Sequence, residues 1–168
     1  MPERGQATMT LRFAERKDIP VILGFIRALA EYEHMADQIT TDEALLAQQI
    51  FDRKGAEVLF VEEEGNPVGF ALFCHNFSTF LGRRGLWLED LFVLPEHRGK
   101  GYGKALLRSL AQIALEWECG RLEWNCLDWN APSIAFYRSL GAVPMDEWTT
   151  YRLTGETLHR LAGEAGQN

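Results

Sequence analysis

At 168 residues, with 46% apolar and 24% charged side chains, the chain has the size and composition of one soluble domain with a single core. Its net charge of −7 argues against nucleic acid as a partner and suits a small cationic one. No apolar run approaches the roughly 20 residues of a membrane span, and MPERGQATMT lacks the apolar centre of a signal peptide, so a cytoplasmic protein with no membrane partner is expected. Cys74, Cys119 and Cys126 are odd in number and lack C-x-x-C spacing, which reads as reduced thiols. His34, His75, His97 and His159 show no ligand spacing either, so no metal is expected.

In chain order, residues 10–14 (TLRFA) alternate as a strand, with Leu11 and Phe13 on one face. A helix follows in which Asp18 is the expected N-cap, Pro20 lies near the first turn, and Ile22, Phe25, Ile26 and Leu29 step at helical spacing. TTDEALLAQQIF reads as a second helix, capped by Thr40 or Thr41 with Asp42 and Glu43 in its first turn. Residues 57–63 and 68–75 form a predicted hairpin across Gly65-Asn66-Pro67, and 86–94 (LWLEDLFVL) a third long strand.

Residues 103–118 carry an apolar stripe of Leu106, Leu107, Leu110, Ile113, Ala114 and Trp117, an amphipathic helix. RLEWNCL reads as another strand. NAPSIAFYRSLGA reads as a short helix capped by Asn130, with Pro132 in its first turn and Gly141 at its end. A final strand is expected around 148–153 (WTTYRL). This order predicts a mixed α/β sheet with helices on both faces.

The most informative stretch is LEDLFVLPEHRGKGYGKALL, residues 88–107, where an apolar strand runs through a basic glycine turn into a helix. Amides at such a helix start, with the positive end of the helix dipole, bind anions. Gly99, Gly101 and Gly103 allow a bulky phosphate to approach the backbone, while Arg98, Lys100 and Lys104 add positive charge. The expectation is a polyphosphate cradle. The spacing is R-x-x-G-x-G. It misses the dinucleotide fingerprint, whose third glycine would fall at Lys104, and the P-loop, because Ala105 follows Gly103-Lys104.

R-x-x-G-x-G at a strand–helix junction, after Val93-Leu94-Pro95-Glu96-His97-Arg98, resembles the acetyl-CoA pyrophosphate loop of the GNAT N-acetyltransferases. LDWNAPSIAFYRSLGA (127–142) resembles a later block of the same superfamily. LAEYEHM (29–35), STFLGR (78–83), LEDLFV (88–93) and LDWN (127–130) resemble its diamine branch, the spermidine/spermine and thialysine type. The likeness covers about residues 10–162, and implies one domain there between a flexible segment 1–9 and a tail 163–168.

The resemblance implies a mostly antiparallel sheet in which strand 88–94 splays from 121–127 to admit pantetheine. It implies backbone pairing of Leu91, Phe92 and Val93 with that arm, and polarisation of the thioester by the Val93 amide. Residues Arg98, Gly99, Lys100, Gly101, Tyr102, Gly103 and Lys104 would hold the CoA phosphates, with Asn130 and Ser133 as further CoA contacts. Asn130 is equally an N-cap. Tyr137 matches the acid that protonates the departing thiolate, for which a phenol is suited.

Glu89 matches the base toward the substrate amine, directly or through water, and strand alternation sets Glu89 and Asp90 on opposite faces. Tyr32 and Glu33 match the amine-binding loop. The polyamine branch has an acid and a tryptophan where this chain has Ser78 and Phe80, a departure toward the thialysine type. Asp146 and Glu147 are candidates for one further carboxylate. The expectation is thus acetyl transfer from acetyl-CoA to a small cationic amine, in a homodimer. Acetylation of a protein N-terminus or lysine, and a non-catalytic CoA-binding module, stand as alternatives.

Overall fold

The computed structural model describes residues 7–163. They divide into two compact units, one running to Asn125 and the other from Cys126.

The first unit is a five-stranded sheet in the order β1 (Met9–Phe13), β2 (Glu57–Glu63), β3 (Asn66–Ser78), β4 (Arg83–Val93), β5 (Leu122–Trp124). Every pair is antiparallel except β4–β5, which is parallel. α1 (Ile19–Tyr32) and α2 (Glu43–Ala47, continuing as a π turn through Asp52) connect β1 to β2; α3 (Tyr102–Glu116) connects β4 to β5.

Alternation along β2 and β3 divides the core. Val58, Phe60, Phe70 and Leu72 point to α1 and pack with Ile19, Ile22, Phe25 and Ile50. Phe25 stacks on Phe70 with ring centroids 5.2 Å apart. Leu59, Val61, Ala71 and Phe73 point to the opposite face, where α3 buries Leu106, Leu107, Leu110, Ile113 and Ala114. Helices therefore cover both faces of a mostly antiparallel sheet, as the sequence led us to expect.

Several boundaries differ from expectation, each for a local reason. Glu64 and Gly65, both at positive φ, form the two-residue β2–β3 turn, so Asn66 and Pro67 open β3. Asp42 caps α2 in place of either threonine, accepting the Leu45 N–H at 2.8 Å. Asp18 stands at the N-cap position of α1, but its carboxylate takes the Arg12 guanidinium in a two-pronged pair at 2.8 and 3.0 Å and the Glu15 N–H at 2.7 Å. Glu62 holds the Arg12 Nε at 3.1 Å, so this network ties β1 and β2 to the start of α1.

In the second unit α4 (Ala131–Ser139) starts as predicted: the Asn130 side chain accepts the Ser133 N–H at 3.4 Å and Pro132 follows. Gly141, at φ 86°, follows the last turn. The strand expected at 148–153 is absent. That stretch is irregular, with Trp148 80% and Tyr151 92% exposed, and α5 (Gly155–Leu161) follows it.

Candidate active site

The pairing of β4 with β5 ends at Leu88–Trp124. From Glu89 to Val93, β3 is the one strand that pairs with β4 among the described residues. Which backbone groups face the unpaired side follows from one bond. The Leu94 N–H donates to Val68 O at 2.9 Å, toward β3, so by alternation Phe92 also turns its backbone to β3, while Leu91 and Val93 turn theirs outward. The sequence reading grouped all three as backbone partners of a ligand. Phe92 does not fit that role: its backbone is oriented to β3, and its ring is 5% exposed in the α1-side core.

The glycine turn closes the end of this edge. Gly99 and Gly101 sit at φ 77° and 84°, the left-handed region that only glycine adopts without strain. Gly101 is the N-cap of α3 and Gly103 lies in its first turn at ordinary helical φ. Beyond chain neighbours and, for Gly103, the backbone of its own helix, no described atom lies within 4 Å of the place a Cβ would take at Gly99, Gly101 or Gly103. The amides of a helix start thus border open space, the arrangement a phosphate needs. Arg98 donates from Nε to Val93 O at 3.0 Å, and its guanidinium sits over the rings of Tyr32, at 5.0 Å, and Phe92, at 5.3 Å. Lys100 turns to Glu63, with Nζ 2.7 Å from Oε1.

The carboxylates near the open edge owe their placement to a β-bulge. Leu72 pairs with Asp90 and Phe73 with Leu88, so Glu89 is an extra residue without a cross-strand partner. The bulge turns β4 over. Leu86 and Leu88 sit opposite His75 and Phe73, which pack on Trp117, whereas Asp90 and Phe92 sit opposite Leu72 and Phe70 on the α1 side. Simple alternation fails here. Asp90 comes to the face where α1 ends in Tyr32 and Glu33, both half-buried.

Burial, then the charges of Glu89 and Glu33, push the Asp90 carboxyl up to about 7. Burial and Glu89 likewise raise Glu33 above the usual carboxylate range and Cys74 above the usual thiol range. The Trp87 indole N–H donates to Glu89 Oε2 at 2.8 Å, holding that carboxylate beside the indole. Sequence reasoning passed over Asp90, whose signal was its place beside Glu89, and Trp87, two residues before it.

A basic, glycine-lined turn at the end of a one-sided strand edge, with carboxylates clustered along that strand, has the chemistry to suit a phosphorylated donor and a cationic acceptor. The family model for acetyltransferases of the GNAT family matches residues 23–142. The chain belongs to the GNAT acetyltransferase family. It is 35% identical to the thialysine N-epsilon-acetyltransferase of Sus scrofa over 94% of this chain and 99% of that protein. It is 42% identical to the L-ornithine N5-acetyltransferase of Arabidopsis thaliana over 61% of this chain and 46% of that protein. Among solved structures, an integron cassette protein from V. cholerae superposes with a TM-score of 0.77 and 28% identity, covering 94% of this chain and 99% of that one.

As an acetyltransferase of this family, the protein is an enzyme that uses acetyl-CoA as acyl donor. The glycine cradle, with room where side chains would stand, suits the diphosphate of that donor. Among the described residues no group of three or more His, Cys, Asp or Glu side chains is disposed to hold a metal, and no helix is long and apolar enough to cross a membrane. Of the remaining sequence-predicted residues, Asn130 is buried at the start of α4, and Ser133 and Tyr137 are half-buried along it. Ser78 and Phe80 lie at the β3–β4 turn, where Ser78 Oγ accepts the Leu81 N–H at 3.2 Å and Phe80 is 97% exposed. Asp146 and Glu147 are exposed in the irregular stretch before α5.

Proposed function

We propose that this acetyltransferase moves the acetyl group of acetyl-CoA to the side-chain amine of a small, lysine-like acceptor, of which thialysine is the model. The observation that carries the reading is the cluster of Glu33, Glu89 and Asp90 at the one-sided stretch of β4, where a cation is the natural complement. The names of the thialysine and ornithine acetyltransferases support it: both acceptors are amino acids with one side-chain amine.

In the proposed reaction the diphosphate rests on the amides of residues 98–104, with Arg98 and Lys104 near, and the pantetheine arm pairs with the outward groups of Leu91 and Val93. Glu89 takes the proton of the acceptor ammonium, directly or through water, because only the neutral amine is a nucleophile. The amine nitrogen attacks the thioester carbonyl carbon, and the Val93 N–H stabilises the oxyanion that forms. Collapse breaks the C–S bond as Tyr137 gives its proton to the CoA thiolate, and the second proton leaves the attacking nitrogen for water, which returns one to Tyr137. Tyr32 and Glu33 hold the acceptor's second cation, with Asp90 beside them. Asn130 and Ser133 are assigned to CoA. Asp146 or Glu147 supplies no charge that this scheme needs.

The test is a panel of thialysine, lysine, ornithine, putrescine, spermidine and a basic peptide, read as kcat/KM with CoA release. Thialysine or a related amino acid is expected to lead. Spermidine better by tenfold, about 1.4 kcal/mol of transition-state preference, would move the enzyme to the polyamine branch despite Ser78 and Phe80. A peptide in the lead would make it a protein acetyltransferase, and CoA binding without turnover a regulatory module.

We also propose a cytoplasmic homodimer. Val143, Met145, Trp148, Tyr151 and Leu153 are exposed in one chain, an apolar series that a second copy would cover. Light scattering tests it, with a monomer as the refuting result.

A further inference from the structure

We propose that Glu63, at the end of β2, is the positioning residue that sets the glycine turn for the CoA diphosphate; this rests on assigning that turn to CoA. One carboxylate reaches three residues spread along the turn. Its Oε1 accepts the Tyr102 hydroxyl at 2.6 Å and the Lys100 Nζ at 2.7 Å, and its Oε2 lies 2.9 Å from His97 Nδ1. His97 precedes the turn, Lys100 lies between its left-handed glycines, and Tyr102 is the first residue of α3. The His97 contact is short but poorly aligned for a hydrogen bond, so the Tyr102 and Lys100 bonds are the firm ones.

Two features separate this from an ordinary surface ion pair. The Glu63 side chain keeps only 13% of its exposure and Tyr102 is 5% exposed, so the Tyr102 bond sits at the edge of the core, while Lys100 reaches the same carboxylate from the surface. The glycines, for their part, sit between bonds at Arg98 and Ala105 and lend the turn freedom rather than rigidity. Two left-handed glycines allow phosphate to approach, and the same freedom lets the loop wander unless something outside it fixes its ends. Glu63 comes from a strand anchored on both sides, by β1 and by β3 across the tight Glu64-Gly65 turn.

An anion next to an anion site would repel the ligand. Here Lys100 neutralises it, and the Lys100 and Tyr102 bonds, in that order, hold the Glu63 carboxyl down at about 2. Lys100 therefore serves the loop's shape, which leaves the phosphate to the backbone amides, Arg98 and Lys104.

The experiment compares acetyl-CoA with S-acetylpantetheine, a donor that lacks the diphosphate, in wild type, Glu63→Gln, Glu63→Ala and Tyr102→Phe. Glu63→Ala is expected to raise the acetyl-CoA KM about tenfold with kcat within about twofold, and Glu63→Gln to fall between. Its kcat/KM for S-acetylpantetheine stays within about twofold of wild type, since that donor makes no use of the loop. Amide hydrogen exchange across residues 98–104 speeds up in Glu63→Ala, while residues 106–114 keep their protection.

Parallel losses with both donors would mean a general structural role and overturn the proposal. So would an acetyl-CoA KM that is unchanged or lowered, the sign of a carboxylate that merely competes for Lys100. If wild type used the two donors equally well, the loop would not hold the diphosphate, and the CoA assignment would fall first. Should Glu63→Ala fold poorly, Tyr102→Phe keeps the ring in place and removes one bond, with an expected KM rise of about threefold.

Discussion

Gly103→Ala separates fold from function, because the two respond in opposite directions. Gly103 lies in the first turn of α3 at ordinary helical φ, with no described atom within 4 Å of a Cβ beyond chain neighbours and the backbone of its own helix. Alanine there meets no clash, and a compatible Gly→Ala change stabilises by about 0.4–1 kcal/mol through the lost freedom of the unfolded chain. The first turn gives the lower half of that range, so about 0.5 kcal/mol, a Tm rise of about 1–2 °C for a chain of this size. In the proposed complex the same open space receives a phosphate, so a methyl group there is expected to weaken acetyl-CoA by about tenfold or more.

Gly101→Ala is the control. At φ 84° any side chain is strained, by about 1–2 kcal/mol, and both stability and binding fall. Thermal unfolding by circular dichroism and the acetyl-CoA KM provide the two readouts. A Gly103→Ala enzyme that is more stable and keeps a normal KM refutes the cradle. One that is less stable refutes the reading of the helix start.

Tyr137→Phe is expected to lower kcat by about 10²–10⁴-fold with acetyl-CoA binding little changed, measured in single turnovers where chemistry limits the rate; full turnover would return Tyr137 to a packing role. Asp90 supplies a pH test. Its folded-state pKa, about 7, lies above its unfolded value, so the native state keeps a proton that the unfolded chain releases. Stability from this group is therefore present at low pH and lost as pH rises from about 4 to about 7. Asp90→Asn is expected to flatten that fall in Tm between pH 5 and pH 8, and parallel Tm profiles for the two proteins would contradict the assignment. Asp18→Asn, which strips the Arg12 guanidinium of its best partner, is expected to cost about 2 kcal/mol in urea unfolding, less than a fully buried pair because Arg12 keeps 34% of its side-chain exposure. A change under about 0.5 kcal/mol would show the pair to be ornamental.

What the sequence made legible was local chemistry. The glycine turn, the stripe on α3 and the Asn130 cap each depend on residues a few positions apart, so their pattern survives in one dimension. What it hid was pairing. The bulge at Glu89 is defined by which residue of β3 lies opposite, and no feature of RRGLWLEDLFV distinguishes eleven regular residues from ten and an insertion. Glu63 looked like the polar end of a strand, since its partners lie 37 and 39 residues away. The missing strand at 148–153 has a different cause: WTTYRL has β-favouring residues, but such propensity is realised only against a neighbouring strand. Reading it as strand also concealed α5, whose Thr154 and Gly155 were a visible start.

The bulge joins the two halves of the proposed chemistry. A regular β4 would leave Asp90 on the face of Leu88, among side chains packed under α3, and away from Glu33. One inserted residue brings Asp90 to the α1 side, where three carboxylates share one neighbourhood, and the strand then resumes with Leu91 and Val93 turned to the unpaired edge. Like charges so placed cannot all ionise at no cost, and Asp90, pushed up to about 7, is the one that yields. In the proposed reading this acidic neighbourhood meets an acceptor with one amine to react and one cation to hold. A long polyamine brings more cations than this neighbourhood can answer, and Ser78 adds none of the missing charge. The same local irregularity thereby accounts for where Asp90 stands relative to Glu33, and the proposed preference for a lysine-like amine over spermidine rests on that placement.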